Sequence, residues 1–351
     1  MTEKQNLLQA VLNKTIDEKK VFGTSFAIKK DGFNWLGASG NISTNQTYFI
    51  ASTTKLFTTA IILQLKKEGK LKLEDKINNY LDKSIINGLH IYKGNNYSDT
   101  ITIKHLLAHT SGLADYFQGK GPNGKSLEDE LVSGNDQFWT FEQAIERTKA
   151  IKPLFIPGTK SKANYSDTNF QLLGKIIEVV TNKSFSTNCD ELIIKPLNLP
   201  NTYLYRDTTD KTPKTLYYKA NELDIPNAMT SFGADGGMVS TSTDMLTFIE
   251  AFFTGKLFPN EYIKDLQEWN NIFFSMKSGI GIHLFKLPWI FNPTGAVPYF
   301  IGHSGLSGAL AYYCPNENIY VVGTVNQVAH PDISFKTMIK LTQIVMKNEK
   351  Y

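Results

Sequence analysis

The chain has 351 residues, of which 41% are hydrophobic, 12% are aromatic and only 20% are charged. This composition supplies a large apolar core and excludes an intrinsically disordered chain. The formal net charge is +4, and nearly all of the positive charge is lysine, since Arg147 and Arg206 are the only arginines. The lysines are scattered rather than gathered in a basic block, so we predict no nucleic-acid partner.

The sequence shows no signal for targeting, for membrane insertion or for metal binding by its cysteines. Residues 1–6 contain neither an apolar segment nor a small-residue cleavage site, so we predict no signal peptide. The best apolar run, residues 56–65, is too short to span a bilayer. The chain as written is therefore expected to be soluble, and cytoplasmic unless a leader was removed. Cys189 and Cys314 have no metal-binding spacing, and two buried free thiols are favoured over a disulfide.

The first part of the chain predicts a helix, a hairpin and a second helix. Residues 4–20 have an amphipathic helical period, and strand-like runs follow at 23–29 and 33–39. The turn at 30–32 joins these strands, and a helix from about Thr53 to Glu68 ends at Gly69. Residues 70–230 are rich in turns and predict short helices without regular strand alternation, at 103–108, 141–149 and 168–181.

Strands return in the last part of the chain. A helix is predicted at 242–254, strands at 280–287, 299–303, 309–313 and 319–326, and a closing helix at about 332–347. Because strands lie at both ends and helices between them, we predict a mixed α/β (α+β) fold. An antiparallel sheet from both termini is flanked by helices, with a mostly helical subdomain inserted. The single catalytic domain, 1–351, would divide into an α/β part at about 1–68 and 231–351 and a helical insertion at about 69–230.

The first candidate for chemistry is Ser52, which Lys55 follows three residues later at the start of a predicted helix. This spacing places a hydroxyl and an amine on one face of the first turn. A buried, neutral lysine can take the serine proton, and N–H groups at the helix start can stabilise an oxyanion. Alone the motif is weak, and a plain N-cap serine with a solvated lysine is the alternative. The apolar neighbours Leu56, Phe57 and Ile61 favour burial of Lys55.

The second candidate is the segment 164–174, in which Tyr165 and Asp167 precede a predicted helix. A phenol beside a lysine ammonium can have a lowered pKa and can act as a proton carrier. Position alone favours the alternative, a buried structural tyrosine with Asp167 as the N-cap of the helix.

The third candidate is Gly302-His303-Ser304-Gly305, at the end of a predicted strand. A strand edge beside the nucleophile can offer backbone groups to a substrate, and His303 can donate a hydrogen bond to a carboxylate or a carbonyl. A lone histidine is otherwise most often a satisfied structural residue.

In this order and spacing, the three segments resemble the signatures of the serine β-lactamase and penicillin-binding-protein superfamily. Those signatures are Ser-x-x-Lys, then Tyr-x-Asn or Ser-x-Asn, then Lys-Thr-Gly or a His-x-Gly variant. Residues 105–113, 155–158 and 236–244 resemble their surroundings, and the resemblance extends from about residue 20 to 330. It is closest to the branch of class C β-lactamases, DD-carboxypeptidases, D-aminopeptidases and related esterases. The resemblance implies a β-lactamase/transpeptidase-like fold and a serine hydrolase that forms an acyl-enzyme on an ester, amide or lactam carbonyl.

The same resemblance assigns the roles within the site. Ser52 would be the nucleophile, Lys55 and Tyr165 would share proton transfer, and the oxyanion hole would combine the N–H of Ser52 with that of Leu306 or Ser307. Substrate binding is predicted for Asp167, His303, Ser304 and Gly305. The expected partner is a small-molecule or peptide substrate with D-amino-acid or small acyl groups. No cofactor and no metal are predicted, since the remaining histidines have no ligand spacing.

Two departures from the family pattern stand out. Asp167 replaces the usual asparagine, and a carboxylate beside Lys55 would favour its ammonium form and weaken it as a base. His303 replaces the lysine of many β-lactamases and would hold a substrate carboxylate less firmly. Both departures favour esterase or peptidase activity over β-lactam hydrolysis. They leave open the alternatives of an inactive ligand-binding relative and of a filament-forming one.

Overall fold

A computed structural model describes residues 2–347 of the chain, and its main feature is an eight-stranded antiparallel sheet. The strands, numbered along the chain, are β1 (Gly23–Lys30), β2 (Phe33–Gly40), β3 (Asn270–Phe273), β4 (Met276–Ser278), β5 (His283–Phe285), β6 (Phe300–Ser304), β7 (Ala309–Cys314) and β8 (Ile319–Thr324). Their order across the sheet is β3-β4-β5-β6-β7-β8-β1-β2, so β1 from the N-terminal part pairs with β8 from the C-terminal part. Strands from both ends of the chain therefore form one sheet, as predicted.

The centre of the sheet is apolar on both faces because helices cover both. Along β1, Phe26 and Ile28 point into one core cluster while Ala27 points into the other, which is the period of two expected of a strand. All six residues of β8 are buried. The hairpin between β1 and β2 pairs Lys30 with Phe33 across the predicted turn.

Five longer helices carry most of the packing. They are α1 (Glu3–Thr15), α2 (Lys55–Lys67), α3 (Asp167–Thr181), α4 (Ser242–Phe253) and α5 (Asp332–Met346). Helices α1 and α5 pack on each other and on one face of the sheet, and α4 packs on the other face against β1, β7 and β8. Helix α2 packs on α3, and ten of its thirteen residues are buried, so it is a core helix and not an amphipathic surface helix.

The middle of the chain is built from short elements. Its further helices are Lys83–Ile86, Ile103–Leu107, Leu127–Val132, Phe141–Ala150, Phe185–Cys189, Lys195–Leu197 and Pro226–Ser231, and Tyr262–Asp265 follows later. Short strands pair Ile91–Tyr92 with Asn95–Asn96 and Leu216–Tyr218 with Asn221–Leu223, while Met238–Ser240 lies between Tyr48–Phe49 and Tyr203–Leu204. The division at about residues 68 and 231 stays a prediction.

The predicted mixed fold with its antiparallel sheet is confirmed, but one predicted strand is wrong. Residues 280–287 do not form one strand, since β5 begins only at His283 and the β3–β4 hairpin before it was not predicted. Gly281 breaks the run because it has a φ of +72° and lies so close to Thr59 that a Cβ would be 2.3 Å from the threonine hydroxyl. Cys189 and Cys314 are both buried and free. Among the described residues, no helix has the length and apolar character needed to cross a membrane.

Candidate active site

The nucleophile candidate Ser52 lies in a single 3₁₀ turn, Ala51–Thr54, that leads into α2. Ala51 has a φ of +45°, a left-handed conformation that costs a non-glycine residue about 1–2 kcal/mol. Turns of this kind are enriched at functional sites, where the surrounding structure holds the strain. Ser52 is half-buried, whereas Lys55, the first residue of α2, is completely buried.

Lys55 has three hydrogen-bond acceptors around its Nζ atom. These are Ser52 Oγ at 3.1 Å, Asp167 Oδ1 at 2.5 Å and the backbone carbonyl of Asp235 at 2.6 Å. An ammonium group has three N–H donors and no acceptor, so this geometry matches a charged Lys55 in which every proton is used. The solvated-lysine alternative does not describe this side chain. One of the N–H groups of the Lys55 ammonium points to the oxygen of Ser52.

Tyr165 lies on the other side of the serine oxygen. Its hydroxyl is 2.7 Å from Ser52 Oγ and 3.2 Å from Asp167 Oδ1, and its ring packs on His109 with centroids 4.7 Å apart. Burial first, and then the negative charge of Asp167, raises the pKa of Tyr165 well above its usual value. The expectation of a lowered phenol pKa is therefore not met, and Tyr165 holds its proton at neutral pH.

Asp167 is the first residue of α3, and it belongs to a group of buried carboxylates that the sequence did not reveal. The N-cap position is occupied by Ser166, so Asp167 is not the N-cap residue. Asp235 accepts hydrogen bonds from Tyr116 and Gln171 at 2.7 and 3.0 Å, while its own carbonyl holds Lys55.

Asp115 is the third member of this carboxylate group. Its Oδ1 accepts from the Phe117 amide at 2.8 Å, and its Oδ2 has no partner among the described residues. Burial, followed by the charge of Asp167, raises the pKa of both Asp115 and Asp235. Asp115 and Asp235 therefore interact electrostatically with Lys55 in addition to Asp167.

The end of β6 brings Ser304 and Gly305 to the nucleophile. A Cβ atom on Gly305 would lie 2.5 Å from the carbonyl oxygen of Ile50 and 3.0 Å from the amide nitrogen of Ser52, so only glycine allows this approach. The chain then makes a tight turn in which the Gly308 amide donates to the Gly305 carbonyl, and the Ser307 hydroxyl donates to the Phe49 carbonyl at 2.7 Å. Leu306 and Ser307, which belong to this turn, border the same cavity as Ser52.

His303 is placed differently from what the sequence suggested. Its side chain is buried, and it does not border the cavity at Ser52. Its Nδ1 lies 2.8 Å from the Ser304 carbonyl, and because a carbonyl only accepts, Nδ1 carries the proton. Burial first, and then the repulsion that a protonated ring would meet from a protonated His283 and from Lys55, holds the pKa of His303 well below its usual value. The neutral ring then has a bare Nε2, which cannot donate to a substrate carboxylate.

Three histidines, His109, His283 and His303, form a group behind Tyr165. The rings of His283 and His303 stack with centroids 4.0 Å apart, and those of His109 and His283 are 6.0 Å apart. His109 Nδ1 accepts a hydrogen bond from the Ser166 amide at 3.2 Å. Burial, and then the charge of Lys55, lowers the pKa of His283 to about 3, and neither of its ring nitrogens has a partner among the described residues.

A cavity of about 250 Å³ opens at Ser52. Ser52, Tyr165, Asp167, Ser304 and Gly305 all border it, so the structure brings these predicted residues together. Most of its wall is apolar, including Phe49, Phe117, Leu223, Ile225, Met229 and Val328. Among the described residues, no lysine or arginine borders it, whereas Glu128 and Asp235 do.

Comparisons with known proteins identify the family of this chain. The sequence model of the beta-lactamase family matches residues 8–337. Protein flp of Staphylococcus aureus (strain COL) is 30% identical over 209 residues, which cover 57% of this chain and 38% of that protein. The chain thus spans well under half the length of this curated relative.

Solved structures show the same fold. A D-stereospecific amidohydrolase from Streptomyces sp. superposes with a TM-score of 0.77 at 25% identity, covering 95% of this chain and 97% of the other. The D-amino acid amidase of Ochrobactrum anthropi SV3 superposes with a TM-score of 0.79 at 20% identity, covering 98% of each chain. Because the family model matches almost the whole of this chain, the chain belongs to the beta-lactamase family.

Proposed function

We propose that this protein is a serine hydrolase that forms an acyl-enzyme on Ser52 and prefers uncharged esters or amides with an apolar acyl group. One observation carries the proposal: Ser52 Oγ lies 3.1 Å from Lys55 Nζ and 2.7 Å from the Tyr165 hydroxyl, at the mouth of an apolar cavity. Membership of the beta-lactamase family and similarity to an amidohydrolase support it.

Lys55 acts in this proposal through its charge. Its three protons already have three acceptors, and one of these is the serine oxygen. As Ser52 loses its proton, the hydrogen bond from Lys55 becomes charge-assisted at both ends and strengthens. Lys55 therefore stabilises the alkoxide and holds it in place, in a completely buried position where water does not weaken the interaction.

The proton of Ser52 leaves through Tyr165. When the phenol O–H points to Asp167, which can only accept, the phenol oxygen is free to accept the Ser52 proton. Transfer from Ser52 to Tyr165 and from Tyr165 to Asp167 moves one proton without forming a free phenolate. The reverse path delivers a proton to the leaving group. In this scheme Asp167 is the proton acceptor that an asparagine could not be.

The carbonyl oxygen of the substrate becomes negative as Ser52 attacks. The Ser52 amide and one amide of the adjoining turn, from Leu306 or Ser307, would stabilise this oxyanion, and Gly305 sets their separation. Loss of the alcohol or amine leaves the acyl group on Ser52. Water, activated through Tyr165 in the same way, then hydrolyses the ester.

The wall of the cavity determines the preferred acyl group. An unpaired carboxylate placed against apolar side chains loses its hydration without gaining a partner. Among the described residues, the wall offers no lysine or arginine, the N–H of neutral His303 is donated to the Ser304 carbonyl, and the neutral His283 at the wall offers only a single N–H. Substrates with a carboxylate on the acyl side are therefore disfavoured, which separates this site from those that bind β-lactams and peptide C-termini. At about 250 Å³ the cavity accommodates a small acyl group.

Two 4-nitrophenyl esters with equal chain lengths test this preference. The pentanoate ester and the mono-ester of glutaric acid both have five acyl carbons, but only the latter carries a carboxylate. We expect kcat/KM to favour the pentanoate by at least about tenfold, since an unpaired buried carboxylate costs more than about 1.4 kcal/mol. The pentanoate should also exceed the acetate by up to about fiftyfold, from three further buried methylene groups.

The Ser52→Ala variant is the control for both esters. If wild type and Ser52→Ala hydrolyse every ester at the same rate, the hydrolase proposal fails and an inactive binding protein becomes the better account. If wild type is active but favours the glutarate ester, only the proposed acyl preference fails.

A further inference from the structure

The protein carries an exposed apolar surface that the proposed chemistry does not use. Four large side chains, Phe274, Trp289, Ile290 and Phe291, are 77%, 77%, 73% and 63% exposed, and we call them the aromatic platform. The rings of Phe274 and Phe291 are 6.1 Å apart, so the turn between β3 and β4 and the loop after β5 meet in one surface. Folding alone does not explain such exposure, and contiguous apolar patches usually mark an interaction surface.

Backbone and side-chain hydrogen bonds connect the loops of the platform. The Lys286 amide donates to the Ser275 carbonyl at 3.2 Å, which ties the loop to the turn of the hairpin. Trp289–Phe291 forms one 3₁₀ turn, and the side chain of Asn292 closes the loop by two hydrogen bonds to the backbone of Val297. The aromatic side chains thus project from ordered backbone.

The platform is continuous with the mouth of the active-site cavity. Phe273, the residue before Phe274, is itself 48% exposed and borders the cavity. Its ring lies 5.8 Å from that of Tyr165. A surface that covers the platform therefore lies next to the entrance through which a substrate reaches Ser52.

The charges around the platform identify its occupant. From residue 269 to 299 the sequence contains two charged side chains, Lys277 and Lys286, and no aspartate or glutamate. Both lysines are exposed, and neither has an ion pair within residues 2–347. Aromatic and aliphatic side chains with flanking lysines and without carboxylates match the interface of a bilayer that contains anionic lipids.

We propose that the aromatic platform docks this protein on the surface of anionic lipid bilayers, with Trp289, Ile290 and Phe291 inserted at headgroup depth and Lys277 and Lys286 against the lipid phosphates. The docked enzyme would present its cavity mouth to the interface, where substrates with apolar acyl groups partition. This attachment is peripheral and needs no spanning helix.

Vesicle flotation tests the proposal on the full chain. The probes are vesicles of phosphatidylcholine with 30% phosphatidylglycerol and vesicles of phosphatidylcholine alone. The test variant combines Phe274→Ser, Trp289→Ser and Phe291→Ser. The control combines Leu154→Ser and Phe138→Ser, which remove side chains of 52% and 58% exposure elsewhere on the surface.

We expect wild type and control to bind the anionic vesicles, and the platform variant to bind them at least about tenfold more weakly. Lys277→Gln with Lys286→Gln should weaken binding only to the anionic vesicles, and salt should weaken it in the same way. Unchanged hydrolysis of a water-soluble ester by the platform variant shows that it is folded.

Three results would overturn the proposal. The first is wild type that floats with neither vesicle, and the second is a platform variant that binds as well as the control. The third is sedimentation in which wild type self-associates while the platform variant is monomeric, which would make the platform an interface between copies of this chain.

Discussion

Gly305→Ala is the substitution whose effect follows most directly from the geometry. The added Cβ would lie 2.5 Å from the Ile50 carbonyl oxygen and 2.8 Å from the Ala51 Cβ. Ordinary contact begins at 3.4 Å, so the end of β6 and the nucleophile turn must separate by about 0.9 Å. Because the contacting atoms are mainly backbone, no flexible side chain can absorb the change.

This separation widens the gap between the Ser52 amide and the amides of Leu306 and Ser307. A misplacement of about 1 Å in a catalytic group costs about 100-fold in rate, and loss of one oxyanion donor costs about 10²–10³ in kcat. We therefore expect Gly305→Ala to lower kcat by about 100-fold with a smaller change in KM. Overpacking should also reduce the free energy of unfolding by about 1–3 kcal/mol.

The assay is steady-state hydrolysis of 4-nitrophenyl pentanoate, with urea unfolding of the same preparations. Gly32→Ala is the matched control, since a Cβ there meets no heavy atom within 4 Å, and it should behave as wild type. The reasoning is refuted if Gly305→Ala is folded and its kcat stays within threefold of wild type.

Three further substitutions test the groups around Lys55 and Tyr165. Asp167→Asn removes the proposed proton acceptor and should lower kcat by about 10²–10⁴, while lowering the pKa of Tyr165 by removing a neighbouring negative charge; wild-type kcat in this variant would rule out the relay. Asp115→Asn should raise the free energy of unfolding at pH 8 by about 1–3 kcal/mol, because burial raises the pKa of Asp115 and, among the described residues, its ionised carboxylate has no cationic partner in contact and only one oxygen with a hydrogen bond. That gain should shrink as the pH falls towards 3.8, where the unfolded carboxyl also takes up a proton, and a gain that persists there contradicts the cause. The pKa of His283 is lowered from 6.5 to about 3, so the unfolded state binds a proton that the folded state refuses, and stability is lost as pH falls through this window. His283→Phe should remove that contribution, so its urea midpoint should fall less than that of wild type between pH 8 and pH 5; equal losses would show that His283 is not responsible.

The fold was predictable because its signals are local and periodic. The hairpin of β1 and β2, the core helix α2 and the closing strands all have patterns that a sequence displays directly. The prediction of a strand from residue 280 was wrong because the conformation of Gly281 depends on its close contact with Thr59. Thr59 is distant in sequence, so no local pattern shows this contact. The β3–β4 hairpin was missed because the adjacent aromatic residues Phe273 and Phe274 are both exposed, although a sequence pattern assigns such residues to the core.

The site was predictable only in part. Ser52, Lys55 and Tyr165 were predicted because they stand in recognisable segments, and the structure places their side chains within hydrogen-bonding distance, while their catalytic roles stay a prediction. Asp115 and Asp235 were not found, since each is a single acidic residue in a loop whose proximity to Lys55 depends on tertiary packing. The sequence led us to expect that His303 donates a hydrogen bond to the substrate. It could not show that Nδ1 is bonded to the Ser304 carbonyl or that the ring stacks on His283.

Trapping the acyl group on Ser52 tests the proposed acyl-enzyme most directly. Wild type and Ser52→Ala are mixed with 4-nitrophenyl pentanoate, quenched in acid within milliseconds to seconds, and measured by intact-protein mass spectrometry with peptide mapping. We expect wild type to gain one pentanoyl group on the peptide that contains Ser52, and the variant to gain none. Rapid ester hydrolysis by wild type with the pentanoyl group on another residue, or equal labelling of both proteins, would contradict it.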